Sequence, residues 1–185
     1  MNKTSLLDLD ARLSNQLRVA EKPGTLRNIA VFLAHSGDSW FWGLALIVLW
    51  FASDSWKQWA VVLLVAISLL AVLVLCIKFL VRRQRPEGEW GGIYRNTDPH
   101  SFPSGHAARA FLIAVIGSAL GPEWVGILLW IWAPLVALAR VAMGVHYFSD
   151  VLAGALLGIA VAVLGLQFYE SFFAWLANLT GFPLW

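Results

Sequence analysis

Three stretches of the chain carry no Asp, Glu, Lys or Arg: Gln58–Ile77, Trp124–Ala139 and Val151–Tyr169. Runs of this length approach what a helix needs to cross a hydrocarbon core. With two shorter apolar segments they define five expected spans: Ser39–Ser53, Lys57–Leu80, Ser104–Leu120, Glu123–Met143 and Tyr147–Phe168. The shorter ones require little tilt or a locally thinned bilayer. The pattern predicts an all-α fold, a polytopic membrane bundle of five, alternatively six, transmembrane helices. Ahead of them Leu6, Leu9, Leu13, Leu17 and Ala20 recur at helical spacing, and Ser5 with Asp8 has the spacing of a capping box. An N-terminal amphipathic helix is expected, on the membrane interface or, as the alternative, docked on the bundle, and ended by Pro23-Gly24. Asp8, Asp10, Arg12 and Arg18 within the first twenty residues argue against a cleavable signal peptide.

The segment Thr25–His35 decides the topology. It is short, contains Arg27 and Asn28, and meets the break Ser36-Gly37-Asp38, so it reads as interfacial or re-entrant. The chain divides accordingly into N-terminal interfacial helices, 1–35, and a membrane domain, 36–185. With five spans, Lys3, Arg12, Arg18, Lys22, Arg27, Arg82, Arg83 and Arg95 share one side and only Lys57 lies on the other. That asymmetry makes the richer side cytoplasmic. A sixth span through Thr25–His35 would turn the Arg82–Pro103 loop outwards.

Composition sharpens this picture: 59% of residues are hydrophobic and 13% charged, which excludes an ordinary soluble domain. Trp40, Trp56, Trp59, Trp124, Trp175 and Trp185 stand near the ends of apolar runs, where an indole can bury its ring and keep its N–H among headgroups. The single cysteine, Cys76, lies inside an apolar run and allows neither an intrachain disulfide nor a cysteine-based metal site. A net charge of +2 gives no reason to expect a nucleic-acid partner.

Ionisable residues beside the spans gather in three clusters, and charges at membrane depth are costly enough to imply function. Lys78 and Arg85 are seven residues apart, so on one helix they would share a face before Pro86 ends it. Two cations on a face are half of an anion clamp; a snorkelling lysine explains Lys78 equally. Pro103-Ser104-Gly105-His106 opens an apolar helix whose first N–H groups can receive a phosphate oxygen. Ser104 adds a hydroxyl, Gly105 permits close approach, and His106 can give a proton to a departing oxygen. Here the competing reading is a plain N-cap serine followed by a surface histidine. His146 and Asp150, four apart, would stack on one face if the last span begins there. The carboxylate could then accept from one ring N–H, holding that nitrogen protonated, and leave the other nucleophilic, or the two could simply cap the helix. The four histidines form no convincing metal-ligand set, and the surrounding Lys and Arg repel a divalent cation, so neither metal nor cofactor is expected.

With Lys78, Arg85-Pro86, then Pro103-Ser104-Gly105-His106, then Arg140, His146 and Asp150, the chain resembles the type-2 phosphatidic acid phosphatase superfamily over about residues 36–168. That superfamily also includes glucose-6-phosphatase and the vanadium-dependent haloperoxidases. Its signatures are Lys, six residues, Arg-Pro; Pro-Ser-Gly-His; and Ser-Arg, five residues, His, three residues, Asp. One position departs: Ala139 stands where the family has Ser, removing one phosphate hydrogen bond. The resemblance implies that His146, oriented by Asp150, attacks phosphorus and forms a phosphohistidine. His106 protonates the leaving group, and Lys78, Arg85, Ser104, Gly105 and Arg140 bind the phosphate. Arg82 and Arg83 read as topology signals, with headgroup contact or a second charge shell as alternatives that also apply to Arg109. Many bacterial relatives carry an additional amino-terminal span, which fits the five-span reading.

Membrane lipids surround such a site, so the expected substrate is a lipid phosphate. Phe102–Arg109 resembles the branch containing polyisoprenoid-diphosphate phosphatases and the mycobacterial decaprenyl-phosphoribose phosphate phosphatase. A prenyl diphosphate or phosphoprenyl-sugar phosphate comes first, and phosphatidylglycerophosphate or phosphatidate second. Two rivals belong to other classes. A vanadate-dependent haloperoxidase is disfavoured by the spans, since those relatives are soluble; a non-catalytic lipid-phosphate-binding protein is disfavoured by the presence of both His106 and His146. The expected location is a bacterial inner membrane.

Overall fold

The structure, a computed structural model, describes residues 3–95 and 98–181. Among these residues it is helical throughout, apart from a single antiparallel bridge between Gln84 and His100. The helices are α1 Lys3–Leu17, α2 Thr25–Ser36, α3 Ser39–Ala52, α4 Lys57–Val81, α5 Glu89–Arg95, α6 Gly105–Leu120, α7 Glu123–Ala142 and α8 Phe148–Thr180. Three stretches are long and apolar enough to cross a membrane: Asp54–Val81, Glu123–Ala142 and Phe148–Leu179. A fourth crossing arises if α2 and α3, bent by 53° at their junction, act as one. The five or six crossings expected are therefore not reached by length and composition, because α6 has only 16 residues. Starts and ends of α3, α4, α6 and α7 fall within a residue of expectation, whereas α8 continues well beyond Phe168 to Thr180.

The distribution of side chains is inverted relative to a soluble protein. Leu69, Val72 and Leu80 of α4, Ile127, Ile131 and Leu138 of α7, and Leu152, Leu156 and Phe168 of α8 are exposed, while Lys78, Arg85, Arg109, Arg140, His146 and Asp150 are buried. Apolar outer faces with charge inside suit a hydrocarbon solvent. α6 is the central element, packed against α7, α8 and α4. Its approach to α8 is set by small residues: a Cβ on Gly154 would stand 2.4 Å from the Ser104 carbonyl oxygen, and one on Gly158 would stand 2.0 Å from that of Ala108. Only glycine lets the two backbones lie this close, and the contact fixes where the start of α6 meets the start of α8.

α1 is helical already at Lys3, so Ser5 lies within the helix and does not start it; the side chains of Ser5 and Leu6, like Trp185, lie outside the described residues. Leu9, Leu13 and Leu17 are exposed, while Ala20 is buried. The other side of α1 docks on the motif loops, with Asp10 accepting from Arg83 at 2.6 Å and from the Ser149 N–H at 3.0 Å. α2 packs on α7 through Ala30 and Ala34, in an apolar cluster that includes Ala139. Arg27 reaches from α2 to Glu89 of α5 with two hydrogen bonds of 2.9 and 3.1 Å.

Candidate active site

α4 stops at Val81 because Arg82 takes a left-handed conformation, φ 51°. Arg85 therefore does not sit on the helix face that carries Lys78, and Pro86 is not what ends the helix, contrary to the spacing argument. The two cations converge in another way. The chain after Arg82 runs beside residues 98–101, held by the Gln84–His100 bridge and by the Ser101 N–H donating to the Arg83 carbonyl at 2.8 Å. This pairing brings Asp98 between the cations. Its Oδ2 accepts from Lys78 Nζ at 2.6 Å and from Arg85 Nη2 at 2.8 Å. Lys78 also donates to the His100 carbonyl at 2.8 Å, and Arg85 Nη1 donates to that of Val145 at 2.9 Å. Lys78 is thus a buried, directed cation and does not snorkel.

Ser104 is the N-cap of α6, its Oγ accepting from the Ala107 N–H at 3.5 Å, which is the plain capping role the sequence also offered. Its own N–H donates to the Asp150 carbonyl at 2.9 Å, which joins the second motif to the third. At Gly105 a Cβ would meet only Val74, at 3.5 Å, so packing does not demand glycine there. The bare backbone instead lines an open cavity. His106 points its Nε2 at Asp38 Oδ1, 2.7 Å away.

α8 begins at Phe148, so His146 precedes the helix, and the expected stacking of His146 over Asp150 on one helical face does not occur. Asp150 is instead the third residue of a capping box, accepting from the Tyr147 N–H at 2.9 Å. The turn still brings His146 Nδ1 to 3.6 Å from Asp150 Oδ2, ion-pair range but longer than a hydrogen bond. Such contacts commonly tighten only when substrate is bound. Nε2 lies 3.2 Å from Arg85 Nη1. Arg140 is fully buried near the end of α7.

The cavity measures about 520 Å³. Lys78, Asp98, Gly105, His106 and His146 form its polar end, and Ile67, Leu70, Ala71, Val74 and Leu75 of α4 form an apolar wall. Four of the eight residues singled out in the sequence, Lys78, Gly105, His106 and His146, line it directly; Arg85, Ser104, Arg140 and Asp150 are buried. Among the described residues no group of three or more His, Cys, Asp or Glu is placed to hold a metal ion.

Several contributors were not foreseen. Arg83, read as a topology signal, donates to Asp150 at 2.7 Å and lies over the Tyr147 ring at 4.0 Å. Asp10 binds the same arginine; burial pushes its carboxyl up, but the hydrogen bonds from Ser149 and Arg83 outweigh that and hold it below the usual range. Arg109 turns inwards to the Gly37 carbonyl and the Ser39 hydroxyl and does not reach for headgroups. Asp98 and Asp38 were not singled out at all. For Asp38 a signal existed, an acid between two apolar segments, but it was taken only as a break.

The sequence pattern described as the PAP2 superfamily matches residues 57–174. An undecaprenyl-diphosphatase of Sulfolobus acidocaldarius is 32% identical over 147 residues, 77% of this chain and 70% of the relative. A decaprenylphosphoryl-5-phosphoribose phosphatase of Mycobacterium tuberculosis is 35% identical over 153 residues, 80% and 83% of the two chains. Among solved structures, Aquifex aeolicus LpxE superposes with a TM-score of 0.70 at 29% identity, covering 86% of this chain and 95% of that one.

Proposed function

The chain belongs to the PAP2 superfamily and is an integral membrane lipid phosphatase; on that premise we propose that it hydrolyses a polyprenyl phosphate or diphosphate through a phosphohistidine, without a metal ion. The observation that carries this reading is the cavity, whose polar end joins Lys78, His106 and His146 while its wall is the apolar face of α4. A phosphate can enter the clamp there while its tail stays in hydrocarbon. Similarity to two phosphatases of prenyl-linked substrates favours a prenyl chain over phosphatidylglycerophosphate or phosphatidate.

His146 Nε2 attacks phosphorus in line with the departing oxygen, and Asp150 neutralises the ring as its charge develops. Lys78, Arg85, Arg140, Ser104 and the first N–H groups of α6 hold the equatorial oxygens, a preorganised field that stabilises the transferring group. His106 protonates the leaving oxygen, and water then releases phosphate from His146. Purified protein in EDTA, assayed against prenyl diphosphates, prenyl monophosphates, phosphatidylglycerophosphate and phosphatidate, should favour the prenyl substrates. Vanadate, which adopts the five-coordinate geometry of the transfer, should inhibit competitively. Loss of activity in chelator with recovery on adding a divalent ion would refute the metal-free mechanism.

The proposed topology has five crossings: α3, entered from the bent α2, then α4, α6, α7 and α8. The hydrogen bonds that Asp10 accepts from Arg83 and Ser149 support it, because they hold α1 against the face that carries the motif loops. The distribution of Lys and Arg makes that face cytoplasmic. In a Cys76→Ala background, the exposed position Glu87, changed to Glu87→Cys, should resist an impermeant thiol reagent in intact cells. Labelling from outside would reverse the orientation and move the substrate to the outer leaflet.

A further inference from the structure

The junction between α2 and α3 brings a carboxylate into the cavity. Asp38 is formally the N-cap of α3, yet its side chain makes no capping hydrogen bond. One oxygen faces His106 Nε2 at 2.7 Å; the other lies 2.9 Å from His35 Nδ1 and accepts from Trp40 Nε1 at 3.2 Å. The junction is fastened from two neighbouring helices. Arg109, three residues after His106 on α6, donates to the Gly37 carbonyl at 2.6 Å and to the Ser39 hydroxyl, gripping the backbone on both sides of Asp38. From α7, Trp132 Nε1 donates to Ser36 Oγ at 2.8 Å. A Cβ on Gly37 would stand 2.9 Å from Val136 Cγ1, so the bend lies tight against that helix. The buried Arg109, the partly buried Trp132 and a close backbone approach thus hold one acid against one histidine.

We propose that Asp38 is a positioning residue for His106, fixing its tautomer and supplying the counter-charge for its protonated form. The inference rests on the lipid phosphatase reading. His106 faces Asp38 from the junction, Arg109 on its own helix, Arg140 on α7 and His146 ahead of α8, with His35 behind Asp38. The two arginines oppose a charge on the imidazole, and against them Asp38 sets an anion at hydrogen-bond range of the ring. A carboxylate that accepts one ring N–H determines which nitrogen is left for chemistry. Here Asp38 accepts Nε2–H, so the transferable proton resides on Nδ1. As the bond from His146 Nε2 to phosphorus forms and the bond to the leaving oxygen breaks, the Nδ1 proton passes to that oxygen. His106 is left neutral, still donating Nε2–H to Asp38. In the second step water bonds to phosphorus, the P–N bond breaks, and Nδ1 takes the water proton, restoring the starting state.

Removing Asp38 should therefore penalise poor leaving groups selectively. The full-length protein in detergent would be assayed with dodecyl phosphate, whose alkoxide needs protonation, and with p-nitrophenyl phosphate, whose phenolate needs little. Asp38→Asn should slow the alkyl ester about 100-fold and the aryl ester by well under 10-fold, in keeping with the worth of general acid catalysis. The basic limb of kcat/KM for the alkyl ester should move to lower pH, since the histidinium has lost its counter-charge. Asp38→Glu should recover part of the rate. In a His106→Ala background Asp38→Asn should cost nothing further on the alkyl ester, because the two act as a unit. Equal slowing of both esters, an unmoved basic limb, or additive losses in the double variant would overturn the inference while leaving the phosphatase reading intact. Wild-type protein inert towards every lipid phosphate would instead remove that reading, and this one with it.

Discussion

His146→Ala is expected to eliminate turnover, a loss of about 10⁴-fold or more if the imidazole is the nucleophile and not an accessory. It should also remove the covalent intermediate. A reaction with radiolabelled lipid phosphate, quenched within the first turnover, should leave acid-labile, base-stable label on the wild-type protein and none on the variant. In the proposal this histidine is preferred because its Nε2 lies 3.2 Å from Arg85, whereas the Nε2 of His106 faces Asp38. His106→Ala should accordingly retain the capacity to form the intermediate slowly with activated esters. Label trapped on Ser104 would contradict the mechanism.

Asp150→Asn should reduce kcat by about 10³- to 10⁴-fold, the range seen when the carboxylate behind a catalytic histidine is neutralised. Asp150 accepts from the Tyr147 N–H and from Arg83 while facing His146 Nδ1 at 3.6 Å. Asparagine keeps an acceptor for the helix start but offers no charge to an imidazole that becomes positive at the transition state. Substrate affinity, read through vanadate inhibition, should change far less than kcat, since the clamp residues are untouched. A parallel rise in KM with kcat preserved would make Asp150 a structural cap only.

The positions of α3, α4, α6, α7 and α8 were legible because a run without charge needs no partner to declare itself. The three motifs were legible as one cluster, since Lys78, Gly105, His106 and His146 line one cavity. What failed were the arguments that assumed an unbroken helix. Arg82 ends α4 before Arg85, and α8 starts after His146, so both pairs are brought together by loops and not by helical periodicity. Asp38, Asp98 and Arg83 act through partners 68, 20 and 67 residues away. No local pattern announces such contacts. They depend on how closely α6 can approach α8, which Gly154 and Gly158 permit, and on how α2 bends into α3.

The carboxylate of Asp98 gives the anion clamp one further property. Lys78 and Arg85 are not bare charges awaiting substrate; they already share an oxygen of Asp98 at 2.6 and 2.8 Å. In the proposed mechanism substrate binding is then a counter-ion exchange, in which the desolvation of two buried cations has been met during folding and the gain is the difference between two anions. A phosphate dianion has more charge and more acceptor oxygens than a carboxylate, which on that reading favours it in the exchange.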